Sequence, residues 1–342
     1  MEESDLLKSM LDNMELAYSE LQEKAMKTTD KESATWATAL NAGGEAPIKT
    51  TDVFMLKDFW LKLCVATQSI SKETTKLCLL LSKPPVPSLA AINDILRSIE
   101  SFYNDAMTTF YSFPKEHGQV LRKEVQNAML KLMESLMAIV RSVKDEGVKG
   151  QKDRLKLAGW VWEACETVEK LSRDNLAASC KHLKKEEMLV ADALQEIDNE
   201  VKADENREEV DNSETWSNQD RELLPPCIGL VKTARSCLKR INRTVQSQGK
   251  CDSEEKITEL DNLVMAVERL SPAVDEFVSS VYPPMDRTAV RSGALSVVSE
   301  IRAILQLARQ SHYILKEDHA WVEFLLKAVD HNNNKLQPLL AS

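Results

Sequence analysis

The chain has 342 residues, a length typical of about two domains, and 43% of them are hydrophobic, which is enough to form a substantial core. Its formal net charge of −10 argues against nucleic acid as the main partner, because phosphate binding requires clustered cationic surface. The seven cysteines include no CxxC pair, which is typical of reduced thiols in the cytosol or nucleus.

Glycine and proline mark the joints of the chain. Only nine glycines are present, roughly a third of average usage, and the runs between the joints are rich in Leu, Ala, Glu, Lys and Met. Apolar residues in these runs recur at spacings of three and four, which predicts amphipathic helices. In the first part of the chain the predicted helices cover approximately residues 4–28, 53–82, 88–112, 116–145, 151–171 and 174–198.

Several side chains in these helices have predicted roles. Trp60 lies on the apolar face of the second helix and is predicted to be a core anchor. Ser88 is predicted to cap the third helix and Ser172 the sixth. Five cysteines at or beside apolar helical positions are predicted to be small buried thiols: Cys64, Cys78, Cys165, Cys227 and Cys237.

An acidic stretch follows the sixth helix. Between Asp198 and Glu222 there are ten acidic residues, three basic ones and few apolar ones, so little surface can be buried to offset the entropy of ordering. We interpret residues 199–218 as a flexible, protease-sensitive linker between an N-terminal bundle (1–198) and a C-terminal bundle (219–342). The pattern leaves open the half on which the sixth helix packs.

The second part of the chain continues the helical pattern. A heptad seam runs through residues 224–245, and Pro225 and Pro226 either precede the regular helix or kink a preceding turn. Pro272 is predicted to bend the next helix at the turn before it, and Pro338 to end the last helix. The further predicted helices cover approximately residues 253–281, 286–312 and 317–337. The sequence therefore predicts an all-α protein of two antiparallel up-and-down helical bundles with about ten helices.

No arrangement of residues indicates catalysis. The five histidines fit no HExxH or HxxxH ligand pair, and the adjacent carboxylates Glu186–Glu187 and Glu208–Glu209 lie on solvated faces. His331 is predicted to be a partly buried structural histidine. A glycine-rich phosphate loop, GxSxG and ExxH are absent from the sequence, so we predict no enzymatic activity, no cofactor and no metal. The N-terminus lacks a signal-peptide pattern and no apolar run approaches the roughly 20 residues of a membrane span, so no membrane partner is expected.

Basic residues decorate the heptad helix, and no acidic residue lies between Leu223 and Lys250. Four of them share one face, offset from the apolar seam: Lys232, Arg235, Lys239 and Arg243. A solvated helix flank is the favoured interpretation. The functional alternative is an electrostatic contact, either with an acidic partner or with the acidic linker, which would then be autoinhibitory. A DNA-reading helix is the weakest alternative, because net positive charge and aromatic interleaving are missing.

A short motif stands at the edge of the linker. Arg221, Leu223 and Leu224 have the R-x-L-apolar form with which many proteins dock onto the hydrophobic patch of a cyclin. In that form the arginine meets acidic groups and the leucines enter an apolar slot. Because Leu224 already belongs to the heptad seam, a helix start is the favoured interpretation and cyclin docking is the alternative.

Several segments, in the same order, resemble the cyclin-D-binding protein family, which is also called GCIP or Maid. The segments are FWLKL…LLLSKPPVPS, FPKEHGQVLRKEV, ELLPPCIGLVKTARSCLKRI, LDNLVMAVERLSPAVDEFVSSVYPPM and AWVEFLLKAVDH. They extend from about Phe59 to His331, and the YPPM turn with the SP…VD…YPP run is the most specific part.

The resemblance implies an all-helical protein without enzymatic activity. It further implies that the chain binds D-type cyclins and helix-loop-helix transcription factors, restrains the cell cycle and transcription, and occurs in nucleus and cytoplasm. It assigns no contact residue in this sequence. The bundles are also similar, by analogy of fold alone, to those of vinculin and α-catenin. An adhesion or cytoskeletal scaffold is therefore the alternative function, and an enzyme with a metal in a bundle core is a distant third.

Overall fold

The computed structural model describes residues 3–26, 54–82, 87–146, 151–205 and 215–341. Within these residues the chain is almost entirely α-helical and contains no β-strand, so the all-α prediction is confirmed. The helices are α1 (Glu3–Met26), α2 (Leu56–Ser82), α3 (Leu89–Tyr111), α4 (Gln119–Glu146), α5 (Gln151–Glu169), α6 (Asn175–Glu205), α7 (Asn218–Gln248), α8 (Glu254–Val267), α9 (Leu270–Val281), α10 (Arg287–Arg309) and α11 (His319–Ala341). Short 3-10 turns precede α4 and α11. No helix in the described ranges is both long and apolar enough to cross a membrane.

The chain divides into two compact units, Met1–Arg173 and Asp174–Ser342. In the first unit α1 packs against α4, α2 packs against α3 and α5, and α4 packs against α5. In the second unit α6 packs against α7, α8 and α9, and α7 also packs against α11. α10 lies against α9 and α11 and completes the second bundle.

Neighbouring helices run antiparallel in both units. In the first unit the Gln126 side chain of α4 donates to the carbonyl oxygen of Leu21 near the end of α1 (2.7 Å). Farther along α4, the guanidinium of Arg141 pairs with Glu15 (2.6 Å), which lies earlier in α1. In the second unit the short connections impose the same alternation, with α8 and α9 counted as the two parts of one bent helix.

The unit boundary differs from the predicted one, because α6 belongs to the second unit. The predicted linker also contains structured residues: the chain is helical to Glu205, and a new helix begins at Asn218. Trp216 is buried, and its indole N–H donates to the carbonyl oxygen of Val281 (2.7 Å). The central part of the predicted linker, 206–214, lies outside the described residues.

The prolines behave differently from one another. The predicted helix around Pro272 is interrupted as α8 and α9, with the break just before the proline, so the predicted bend is confirmed. α7 begins before Pro225 and Pro226, which lie inside it. The prediction that Pro338 ends the last helix is wrong, since α11 continues to Ala341. Its last turn is held by the buried side chain of Leu340, which outweighs the hydrogen bond that proline cannot donate.

Burial of the predicted core residues is mostly as expected. Trp60 is buried and its indole N–H donates to the carbonyl oxygen of Arg173 (2.9 Å). The hydroxyl of Ser88 accepts from the N–H of Ala91 and caps α3, as predicted. At the start of α6, in contrast, the side chain that accepts a backbone N–H is that of Asp174, not Ser172. Of the cysteines predicted to be buried, three are buried and two are half-buried; the buried three are Cys165, Cys227 and Cys237.

Two aromatic residues and one histidine of α5 and α11 are on the surface. Trp160 is 45% exposed and Phe324 is 68% exposed. His331 is also exposed, so its prediction as a partly buried histidine is wrong. In α11 the buried stripe runs through Val322, Leu325 and three further residues, which rotates Phe324 and His331 outward.

Candidate functional site

The solvent-facing side of α7 presents a continuous row of cations. One side of this helix is buried from Leu223 to Val245, and the basic residues lie outside that seam. All five are exposed, and we call them together the basic face: Lys232, Arg235, Lys239, Arg240 and Arg243. At a rise of 1.5 Å per residue, the row extends over about 16 Å. The charge predicted for this flank is therefore presented to solvent.

Among the described residues, most of the basic face has no acidic partner. Lys232 is an exception, because its ammonium lies 3.7 Å from the carboxylate of Asp198 in α6. Within the part of the chain that the structure describes, the other four cations form no salt bridge. Exposed cations without a counter-ion repel one another modestly, and an acidic ligand would relieve that repulsion.

Two helices flank the basic face. On one side, Glu187 of α6 contacts the amide of Asn242 (3.4 Å) and the ammonium of Lys184 (3.1 Å). Glu187 and its neighbour Glu186 are almost fully buried, so the prediction that this pair lies on a solvated face is wrong. On the other side, α11 approaches α7 so closely that a Cβ on Gly229 would stand 2.1 Å from Oδ1 of Asn332. The absence of a side chain at Gly229 therefore permits the close approach of α11 at this level.

The residues of the predicted docking motif do not act together at the surface. Leu223 and Leu224 are both buried in the bundle. The guanidinium of Arg221 pairs with Asp204 at the end of α6 (2.8 Å). Ser217 caps the helix, and its hydroxyl accepts from the N–H of Asp220. In this folded state the motif forms a helix start, and neither leucine is available to an apolar slot.

The buried polar clusters of the second unit join helices. His182 of α6 lies between the carboxylates of Glu186 (3.5 Å) and Glu268 (3.1 Å), and Ser271 donates to Glu186. His312 is a second such link, which sequence reasoning missed. Its Nε2 accepts from the N–H of Lys250 (3.0 Å), while its Nδ1 lies 2.6 Å from Glu259. No group of metal-binding side chains suited to an ion occurs in the described ranges.

Two sequence models of one protein family match this chain. The sequence model described as "Grap2 and cyclin-D-interacting, N-terminal" matches residues 62–203, and the one described as "Grap2 and cyclin-D-interacting, C-terminal" matches residues 197–306. The basic face lies within the second match. The two models meet near the end of α6, whereas the compact units of the structure meet at Arg173 and Asp174.

Individual relatives extend the similarity over most of the chain. The Cyclin-D1-binding protein 1 homolog of Xenopus laevis is 34% identical over 300 residues, which cover 84% of this chain and 91% of that protein. The homolog of Danio rerio is 31% identical over 309 residues, covering 86% of this chain and 89% of the relative. Cyclin-D1-binding protein 1 of Homo sapiens is 30% identical over 324 residues, covering 87% and 89% respectively.

Proposed function

This chain belongs to the Grap2 and cyclin-D-interacting family, and we propose that it is a binding protein for a D-type cyclin. The observation that supports the proposal is the similarity to proteins named for cyclin D1 binding, at 30% to 34% identity over more than four fifths of the chain. The family is named for the partners that its members bind and for no reaction, which agrees with the prediction that the chain is not an enzyme.

The proposed role is regulatory. By sequestering a D-type cyclin, and helix-loop-helix transcription factors as a second class of partner, the chain restrains cell-cycle progression and transcription in nucleus and cytoplasm. A protein of net charge −10 is suited to occupy such partners without binding DNA itself. The second class is tested by a mobility-shift assay, in which the purified chain should remove a helix-loop-helix dimer from its DNA without shifting the DNA alone. A shifted DNA band containing the chain would contradict this part of the proposal.

We place the cyclin contact on the basic face, with Arg221 as its neighbour at the helix start. The face is exposed and, within the described ranges, mostly unpaired, so an acidic surface on the partner would gain contacts with it. Exposed charge pairs contribute about 0.2–1 kcal/mol each. Three charge reversals should therefore weaken binding by about 1–3 kcal/mol, or ~10- to 100-fold.

Calorimetric titration of the purified chain with a purified D-type cyclin tests the proposal. We expect saturable binding by the native chain and the stated loss for the variant Arg235→Glu, Lys239→Glu and Arg243→Glu. The matched control reverses three exposed lysines of α2 in the first unit, which changes the net charge equally: Lys57→Glu, Lys62→Glu and Lys72→Glu. The control variant should bind the cyclin within about twofold of the native chain.

The outcomes separate the function from its site. Absence of binding by the native chain would contradict the function itself. Equal weakening by both triple variants would contradict the site alone, because it would indicate a response to net charge. Arg221→Ala should leave cyclin affinity unchanged, since Leu223 and Leu224 are buried and the docking motif is not formed. Loss of cyclin binding by a folded Arg221→Ala variant would restore that motif as the contact.

A further inference from the structure

The exposed ring of Phe324 lies beside the basic face. In the second unit α8 and α9 are two parts of one bent helix and the other successive helices are antiparallel, so α11 runs opposite to α7. In agreement, the N–H of Lys250, just after α7, donates to His312, just before α11. The contact of Gly229 with Asn332 sets the register between the two helices. Phe324 is eight residues before Asn332 and is therefore level with the residue eight positions after Gly229, Cys237. At 100° per residue, the direction of Phe324 about the axis of α11 differs by about 80° from that of Asn332, which faces α7. The ring therefore lies at the edge of the contact between the two helices, facing solvent.

The surroundings of Phe324 leave its ring open to a ligand. One turn before and one turn after it on the same side of α11 are the small residues Ala320 and Ala328. The ring stacks on no other aromatic side chain within the described ranges, although it is 68% exposed. A large aromatic side chain exposed to this degree beside a charged row is typical of a protein-binding site, where it anchors an apolar contact.

Charges on α11 are segregated between its two flanks. Two acidic residues of α11 pair with arginines of α10: Glu323 lies 3.1 Å from Arg309, and Asp330 forms a salt bridge with Arg302. On the side of Phe324, Lys327 and Lys335 are exposed and form no salt bridge in the described residues. The cationic surface of α7 therefore continues onto α11 with an aromatic ring inside it.

We propose that the basic face and Phe324 together bind an acidic amphipathic helix of a partner protein. Carboxylates on one side of the partner helix meet Arg235, Lys239 and Arg243, while an apolar side chain next to them covers Phe324. The inference rests on the proposed function for the partner being a protein, and it defines the chemistry of the segment that this site takes. Complementary charge and an exposed anchor are the features by which helices dock onto such surfaces.

The shape and surroundings of the surface favour a polypeptide over a nucleic acid. The cations of α7 form a row about one helix wide, ~10 Å, which the carboxylate of Asp198 in α6 borders at Lys232. On the far side of α11 from this row are the acidic residues Glu323 and Asp330. A DNA duplex or an anionic membrane would extend over both helices and bring its phosphates towards these carboxylates. A single helix can lie along α7 and Phe324 without reaching them.

Fluorescence anisotropy with a labelled peptide tests the inference on the full chain. The probe is an 18-residue helical peptide with glutamates along one side and leucines beside them; a scrambled peptide of equal composition is the control. We expect the designed peptide to bind with micromolar affinity that falls as salt rises, and the scrambled peptide to bind at least tenfold more weakly. Equal binding of the two peptides would overturn the proposal.

Variants separate the apolar contact from the charged one. Phe324→Ala should weaken the designed peptide about tenfold without changing the salt dependence, whereas the Arg235, Lys239 and Arg243 reversals should weaken binding and flatten the salt dependence. Leu155→Ala in α5 is the matched control, because Leu155 is similarly exposed and lies in the other unit; it should have no effect. Circular dichroism should show that all three variants are folded. Native affinity in a folded Phe324→Ala variant would overturn the proposal.

Competitors test the class of ligand and keep this inference distinct from the proposed function. A DNA duplex or phosphatidylserine vesicles that displaced the peptide at equal concentration would overturn the choice of a polypeptide. A concentration-dependent dimer that Phe324→Ala dissolves would instead assign the surface to a second copy of the chain. If the peptide binds as described and no D-type cyclin binds, the surface stands and the proposed function fails. If a cyclin binds and neither the peptide nor Phe324→Ala affects it, this inference fails alone.

Discussion

Replacing Gly293 with alanine tests how closely α9 and α10 are packed. Gly293 lies inside α10, where alanine is normally favoured over glycine by about 1 kcal/mol because glycine loses more backbone entropy. At this position, however, a Cβ would stand 3.0 Å from Cα and 3.1 Å from Cβ and Cδ2 of Phe277. Carbon atoms at optimal separation are ~3.5–4.0 Å apart, so the new methyl group would be too close to all three.

The magnitude follows from what can move. Phe277 is completely buried in α9, and two of the three opposing atoms are fixed by its backbone. Overpacking of this kind costs about 1–3 kcal/mol. After subtraction of the gain in helix propensity, Gly293→Ala should destabilise the second unit by about 1 kcal/mol and lower its melting temperature by ~2–4 °C.

Gly159 provides the matched control. It also lies inside a helix, but a Cβ there would have no atom within 4 Å, so only the propensity gain remains. Gly159→Ala should raise the melting temperature of the first unit by ~2–4 °C. Scanning calorimetry of the full chain, with the two transitions assigned by these variants, measures both shifts. A Gly293→Ala variant as stabilised as Gly159→Ala would refute the close packing of α10 on Phe277.

Three further outcomes are expected. Trp216→Phe should lower the free energy of unfolding by about 1–3 kcal/mol in urea titrations, because the carbonyl oxygen of Val281 would be left without its donor; unchanged stability would contradict the burial of Trp216. Burial raises the pKa values of three thiols to about 12, namely those of Cys165, Cys227 and Cys237. At pH 8 iodoacetamide should therefore modify these thiols only in denaturant. Mass spectrometry that finds them labelled in the native protein would contradict their burial. The pKa of Asp275 is raised by partial burial and then by the carboxylates of Glu196 and Glu186, so its charged form is disfavoured in the folded state. Asp275→Asn should therefore stabilise the chain by up to ~0.5 kcal/mol at pH 7 and lose that gain as the pH falls to about 4; a gain that persists at pH 4 would contradict the charge argument.

The helices were predictable because apolar spacing is a local property of the chain. The exposure of the basic face was predictable for the same reason, since Lys232 and Arg243 fall outside the seam that alternates by three and four. Phe324 shows the limit of this reasoning. It is adjacent to the buried Leu325, and spacing alone does not decide which of two neighbouring apolar residues faces the core.

Features that depend on distant segments were not predictable from spacing. The ring of Phe324 is beside the basic face only because α11 returns to α7, with Asn332 against Gly229, more than a hundred residues later. Trp216 was overlooked because composition was averaged over an acidic stretch, in which one aromatic residue has little weight. A tryptophan within such a stretch is a sign of an anchor, because burial of its large side chain favours local order.

The position of α6 decides where the chain can be divided. A charge run suggests a boundary after residue 198, but the contacts of α6 are with α7, α8 and α9. At its first turn the amide of Asn175 donates to Asp261 of α8 (2.9 Å), and both residues are buried. Four large apolar side chains of α6 are almost fully buried: Leu183, Val190, Leu194 and Ile197. At about 1.5–3 kcal/mol each, their burial contributes ~6–12 kcal/mol, which is comparable to the ~5–15 kcal/mol that stabilises a whole domain.

A fragment of residues 174–342 should therefore fold, and a fragment of 199–342 should not. Circular dichroism and urea denaturation of the two purified fragments measure the difference. The longer fragment should show a cooperative transition, whereas the shorter one should lose helicity gradually and expose the apolar side of α7 and α9 to a fluorescent dye. Residues 1–173 provide the complementary fragment and should fold without α6. If the fragment of 199–342 unfolded as cooperatively and at the same urea concentration as that of 174–342, α6 would contribute little to the second unit and the division after residue 198 would be the better one.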